Sequence, residues 1–226
     1  MASFAQILAA HGSILVLDAV SLRTQIGLLR TGQPPLWHST GEEAGRGLFS
    51  GTESVLAKAG LGLGDIAAFV FCEGPGSMLG TRTIAMVLRT WTTLKPRPVF
   101  AYQSLALAGA AEWQKSNRQF AMIADARRES WHVQSIGSDG TLGILTRQPT
   151  AELPPGELLT PAKFRVWSKP PPVLHESSYD LAALIALVGE ADLLRPVKAA
   201  DVFQHNEPDY KKWSAQPHSA ETANRK

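Results

Sequence analysis

A single cysteine among 226 residues excludes a disulfide framework and a cysteine-rich zinc module, and makes a reducing, cytoplasmic compartment the expectation. Neither sign of charge is in large surplus, since 22 Lys+Arg oppose 20 Asp+Glu. The excess sits at the C-terminal end, where Lys211, Lys212, Arg225 and Lys226 outnumber Asp209 and Glu221, so residues 1–208 sum to zero. A body without net positive charge is not expected to bind nucleic acid tightly alone, because phosphate contacts need cations. No apolar run reaches the ~18–20 residues of a membrane span, and residues 1–10 lack the basic stretch that opens a secretion signal. Gly and Pro number only 19 and 15, too few for a low-complexity chain. Among the six histidines no pair stands at helical spacing, so no helix is expected to offer two imidazoles to a metal.

What is present is a pattern that starts twice. Residues 14–18 form a short apolar run ending in Asp18, and residues 24–29 and 36–38 read as two further strands of a meander. Leu48, Thr52, Val55, Leu56 and Ala59 then recur with helical spacing over 43–60, and Gly60 closes the helix. Residues 66–72 are continuously apolar, as in a central strand covered on both faces. A glycine-rich loop over 73–80 leads into a helix with Ile84, Val87, Leu88, Trp91 and Leu94 on one stripe. A strand over 99–102 and a helix over 104–113 complete a βββαβαβα series. The series restarts with a strand over 120–125, again ending in aspartate, then strands over 131–136 and 141–145. Residues 148–161 read as a proline-containing loop, 173–175 as a strand, and 179–188 as a helix capped by Ser177 or Ser178. The expected class is therefore α/β with the duplicated actin/hexokinase/Hsp70 organisation and a shortened second copy. The lobes are placed at 1–113 and 114–200, with a polar tail over 201–226.

Active proteins with this organisation hold ATP between the copies, using glycine turns after the strand-end acids so that backbone N–H groups reach phosphates. Here the turns read Asp18-Ala19-Val20 and Asp125-Ala126-Arg127, and the late strand is followed by His175-Glu176-Ser177-Ser178. None contains glycine, which predicts no independent ATP hydrolysis. Ser77 follows Gly74-Pro75-Gly76, but the next glycine, Gly80, stands one residue too late for a nucleophile elbow, so Ser77 is expected to cap the following helix. Gly80 itself is expected in a surface loop, where substitution disturbs a partner contact before it disturbs folding. Cys72 reads as a small core residue. Asp125-Ala-Arg-Arg-Glu129 reads as a charged hairpin tip or as an anion-contacting tip built on Arg127.

The strand ending at Asp18, Glu73-Gly-Pro-Gly-Ser-Met-Leu-Gly-Thr-Arg82, Tyr102-Gln-Ser-Leu-Ala106 and Asp125-Ala-Arg-Arg128 together resemble the TsaB (YeaZ) family, in that order and over roughly residues 14–136. Pro208-Asp209-Tyr210-Lys211-Lys212 resembles that family's late Pro-x-Tyr-x-Arg segment. The resemblance implies a non-catalytic relative of TsaD that pairs with TsaD through its first lobe. With the ATPase TsaE, that pair supports threonylcarbamoyl transfer to the adenosine next to the anticodon of tRNAs reading codons that begin with A. It implies that Gly74, Pro75, Gly76, Ser77, Gly80, Arg82, Asp125 and Arg127 form loops facing a partner, with no catalytic, cofactor-binding or metal-binding residue. Nucleotide, ATP or ADP, is implied only at a junction between subunits, and a homodimer when the partner is absent. The sequence departs from the family at Ala19, Val20, Met78, Leu79, Thr81 and 83–85, where Thr-Ile-Ala replaces Ile-Gly. Two other classes stay open on the residues alone: a small ATP-dependent kinase or peptidase-like enzyme of the same fold, and a binding module for another partner.

Overall fold

The computed structural model describes residues 1–203, so the late Pro208–Lys212 motif lies outside the described residues. The elements in chain order are α1 (Phe4–His11), β1 (Ser13–Asp18), β2 (Thr24–Arg30), β3 (Gln33–Thr40), α2 (Ala44–Ala59), β4 (Ala68–Gly74), α3 (Met78–Leu94), β5 (Val99–Gln103), α4 (Ser104–Ser116), β6 (Phe120–Asp125), β7 (Ser130–Ile136), β8 (Thr146–Pro149), β9 (Leu158–Pro161), β10 (Leu174–Ser177), α5 (Leu181–Val188) and β11 (Arg195–Val197).

Two sheets result, with orders β11-β5-β4-β1-β2-β3 and β10-β9-β6-β7-β8. In each, the first three strands pair antiparallel and the next two add in parallel on the other side of the first. The same topology appears twice in one chain, which is the duplicated actin/hexokinase/Hsp70 fold. The central strands are buried on both faces, as their continuous apolarity requires. Leu15, Leu17, Phe69 and Phe71 point to a core with α2 and α3. Ile14, Val16, Val70 and Cys72 point the other way, into a larger core shared with α1, α4, α5 and the inner face of the second sheet. That shared core joins the lobes.

Several expectations are corrected. The third strand of the second copy is Thr146–Pro149, not 141–145; the chain first makes a turn in which Gly137 N donates to Thr141 O, touches β7 by an isolated bridge of Leu142 to Ile136, and pairs with it as a strand from Thr146. The stretch expected to be loop contains β9, whose Leu158 and Leu159 are buried, with Pro161 tolerated as its last residue. Asp180, not Ser177 or Ser178, caps α5, its carboxylate accepting from Ala183 N at 3.0 Å. Helix α1 was not expected, although Ser3-x-x-Gln6 is a capping box whose two reciprocal bonds are both formed. Strand β11 returns the chain to the first sheet, beside β5. The second copy is shortened in a specific way: one 3-10 turn (Thr150–Glu152) stands between β8 and β9, and an irregular loop over 162–173 stands between β9 and β10, where the first copy has helices α2 and α3.

Candidate functional site at the two strand-end turns

The turn after β1 is filled by the protein itself. Asp18 is fully buried. Its carboxylate accepts from Tyr102 Oη at 2.6 Å, Tyr179 Oη at 2.8 Å and Val20 N at 3.0 Å. Burial pushes the Asp18 carboxyl above its ordinary value, and the bonds from Tyr102, Val20 and Tyr179 pull against that shift without cancelling it. Burial, reinforced by Asp18, pushes the Tyr102 and Tyr179 phenols and the Cys72 thiol well up. Cys72 is the buried core residue that the sequence predicts, with its sulfur 4.0 Å from Tyr179 Oη.

The glycine loop closes over this turn from the outside. A cis peptide joins Gly74 to Pro75. Ser77 N donates to Val20 O at 2.7 Å, and Ser104 Oγ donates to Pro75 O at 2.6 Å. A Cβ at Gly76 would meet Val20 O at 2.5 Å, and one at Gly80 would be driven into the carbonyl oxygen of Ala19. The glycines therefore bring loop and helix backbone against the Ala19–Val20 turn. Gly80 is not a surface-loop residue: it is buried in the first turn of α3. Ser77 caps that helix, its Oγ accepting from Gly80 N at 3.3 Å. Arg82 is exposed on the next turn.

Asp125 serves a different purpose in the second lobe. Its carboxylate accepts from Arg127 N at 2.5 Å, Trp167 N at 2.6 Å and Ser168 N at 2.5 Å, with Ser168 Oγ at 3.3 Å. It thus ties the hairpin tip to the loop over 162–173. The Arg127 guanidinium lies 4.5 Å above the Trp167 ring. Leu22 N donates to Lys163 O at 2.8 Å, so that loop also touches the turn of the first lobe. The candidate residues thus fall into two groups: Gly74, Pro75, Gly76, Ser77 and Gly80 around the Asp18 turn, and Asp125 with Arg127 at the hairpin. Tyr102, Tyr179, Trp167 and Ser168 were missed. Tyr102 stands at a strand end as Asp18 does, and that parallel was the available signal; nothing in the sequence near Trp167 signals a carboxylate partner 42 residues away.

The outward faces of α2 and α3 carry large apolar side chains. Phe49, Leu79 and Met86 are 55%, 65% and 64% exposed, and Phe49 meets Trp91 edge-on at a ring separation of 6.4 Å. A groove of about 420 Å³ between these helices is lined by Phe49, Leu56, Leu61, Leu63 and Trp91. The stripe read from the sequence on the second helix packs into the core through Ile84, Val87 and Leu88, while its last member, Leu94, is exposed. Among the described residues no cluster of His, Cys, Asp and Glu is arranged to hold a metal, and no helix is long and apolar enough to cross a membrane.

The class these observations define is an actin-like duplicated fold with a reduced second lobe. Two solved structures share it closely: YeaZ from Pseudomonas aeruginosa, with TM-score 0.61, 20% identity, and coverage of 79% of this chain and 91% of that one; and a protein described as similar to the peptidase YeaZ of Pseudomonas aeruginosa, with TM-score 0.64, 19% identity, and coverage of 85% and 99%. No protein-family model and no curated protein matches the sequence.

Proposed function

We propose that this chain is a TsaB-like, non-catalytic subunit. In this reading it pairs with a TsaD-like protein, works with a TsaE-like ATPase, and supports threonylcarbamoyl transfer to the adenosine beside the anticodon of tRNAs reading codons that begin with A. The observation that carries it is the plugged turn after β1. The Asp18 carboxylate is taken by Tyr102 and Tyr179, the Val20 N–H by Asp18 itself, and the Gly76–Gly80 backbone packs against the Ala19 and Val20 carbonyls, so the turn's polar groups are engaged within the chain. A chain so arranged is suited to scaffolding. The exposed Phe49, Leu79 and Met86 supply a face too apolar to be left to solvent, which suits a partner and, when the partner is absent, a second copy of the chain. Nucleotide, in this reading, binds at a junction that includes the partner. The YeaZ-like fold and the Gly-Pro-Gly-Ser and Asp-Ala-Arg motifs point to the same family.

The test is size-exclusion chromatography with light scattering, mixing the chain with the TsaD of the same genome. A one-to-one complex supports the reading. Two separate peaks, with and without ATP and TsaE, would sink it.

A further inference from the structure

We propose that the second lobe carries a contact surface for RNA, formed by the β6–β7 hairpin tip and the loop over 162–173. It goes beyond the function proposed above, resting on that reading only in the choice of RNA among polyanions, and it amends the expectation that the body does not bind nucleic acid tightly alone.

The tip is held in a costly conformation. Arg127, Arg128 and Glu129 have φ of 63°, 53° and 52°, three successive non-glycine residues in the left-handed region. The surroundings enforce this geometry. Asp125 takes the Arg127 N–H, Ser130 Oγ donates to Arg127 O at 2.6 Å, and Thr150 donates to Glu129 O through N at 2.9 Å and Oγ1 at 3.1 Å. Arg147 braces the same turn, its guanidinium donating to Ser130 Oγ and Ala126 O at 3.0 and 3.1 Å. The result is a fixed backbone that carries two successive exposed arginines, Arg127 and Arg128.

The neighbouring loop adds to them. Phe164 and Ser168 are buried, while Lys163, Arg165, Trp167 and Lys169 stand out from the surface between and beside them. Trp167 is 51% exposed with Arg127 stacked on it. Six exposed cations, Arg127 of the guanidinium–indole stack and Arg128, Arg147, Lys163, Arg165 and Lys169, are therefore carried by the hairpin tip, the adjoining β8 and the loop over 162–173. None of the six forms an ion pair among the described residues, and the acids of the tip and of the adjoining 3-10 turn are Glu129 and Glu152. In a body whose charges sum to zero, this is a concentration of positive charge. Arg165 also lines a cleft of about 470 Å³ that reaches Ser77 and Leu79, but Glu42 and Glu43 line it too, so the cationic patch ends at Arg165.

Cations spaced along a loop suit consecutive phosphates, and an exposed indole beside them suits an unpaired base, because a π-face stacks on any base but cannot enter an intact duplex. The assignment is phosphate contact by Arg127, Arg128, Arg165 and Lys169, with base stacking at Trp167.

The test is fluorescence anisotropy of a labelled tRNA anticodon stem-loop against the full chain, with a blunt RNA duplex for comparison. Arg165→Gln/Lys169→Gln removes two cations that make no hydrogen bond within the described fold. It is expected to weaken binding about tenfold and to flatten the plot of log K against log salt by about 1.4. Trp167→Ala is expected to cost about fivefold or more on the stem-loop and little on the duplex. Arg118→Ala, at the far end of the second sheet, is the control and should change neither. Binding by the double variant within twofold of the parent, an unchanged salt slope, or equal loss on loop and duplex for Trp167→Ala would each overturn the proposal. So would absence of RNA binding by the parent chain at low salt. Co-elution with TsaD is independent of all these outcomes, so failure here and failure of the subunit reading are told apart.

Discussion

Asp18 and Asp125 occupy the same place in two copies of one structural unit, and their surroundings have turned them to different work. Around Asp18 the first lobe kept both of its crossover helices. The glycine loop and helix α3 set Gly76 and Gly80 against the turn, and the carboxylate faces inward to two phenols in the core shared by both lobes. Around Asp125 the corresponding helices are gone. The acid instead collects backbone N–H groups from the hairpin and from the irregular loop that replaced a helix. One acid seals a core and the other staples a surface. The comparison shows how one topological position can carry an acid into a core in one copy and onto a surface loop in the other.

The largest effect is expected at the sealed turn. Gly80→Val sets a branched side chain against the Ala19 carbonyl, which is backbone and cannot move aside, and should cost about 3 kcal/mol in urea unfolding. Gly156→Ala in the second lobe, where φ is 109° but no atom lies within 4 Å, should cost about 1 kcal/mol. Equal costs would erase the distinction between a packed and an open turn.

Asp125→Ala leaves three backbone donors without their acceptor and should cost about 2 kcal/mol, because those donors regain water only when the loop lifts. Amide exchange should quicken at Trp167 and Ser168 and stay unchanged at Val20; quickening at Val20 as well would mean that the two turns are one cooperative unit.

The Asp18 carboxyl binds its proton more tightly in the folded chain than in the unfolded one. Its stabilising contribution is therefore full below the ordinary carboxyl range and is lost as pH rises through the raised folded value. The stability of the parent relative to Asp18→Asn should fall as pH rises across that window. A difference that is flat or grows with pH would show that Asp18 is not held as inferred. The smallest effect on folding is expected from Met86→Glu, on the exposed face of α3. Unfolding should shift by less than about 0.5 kcal/mol, while co-elution with TsaD is lost.

Much of this architecture is legible in the amino-acid order. The continuous apolarity of Ile14–Leu17 and of Phe69–Cys72 marks the two-sided strands, and the recurrence of a strand ending in aspartate marks the duplication. Ser77 as a cap follows from its place before a helical stripe. Elements of the second lobe were harder to place because they are short: β8 reads Thr-Arg-Gln-Pro, which carries no apolar alternation, and β9, though buried throughout, is only Leu-Leu-Thr-Pro in a proline-containing stretch. The site was legible as a list of residues but not as an arrangement. The role of Gly80 depends on where the Ala19 carbonyl points, and the role of Asp125 on a loop 42 residues away. Neither relation leaves a local pattern.

The central claim of the proposed function is that this chain alone holds no nucleotide at the Asp18 turn, whose carboxylate is bonded to two buried phenols. The most direct measurement is a titration of the isolated, isotope-labelled protein with Mg-ATP, following the backbone amides of Ala19, Val20, Gly76 and Ser77. The account predicts no saturable change at these amides up to millimolar nucleotide. Saturable shifts there that vanish in Asp18→Asn would contradict it, and would return the chain to the ATP-dependent enzymes of its fold.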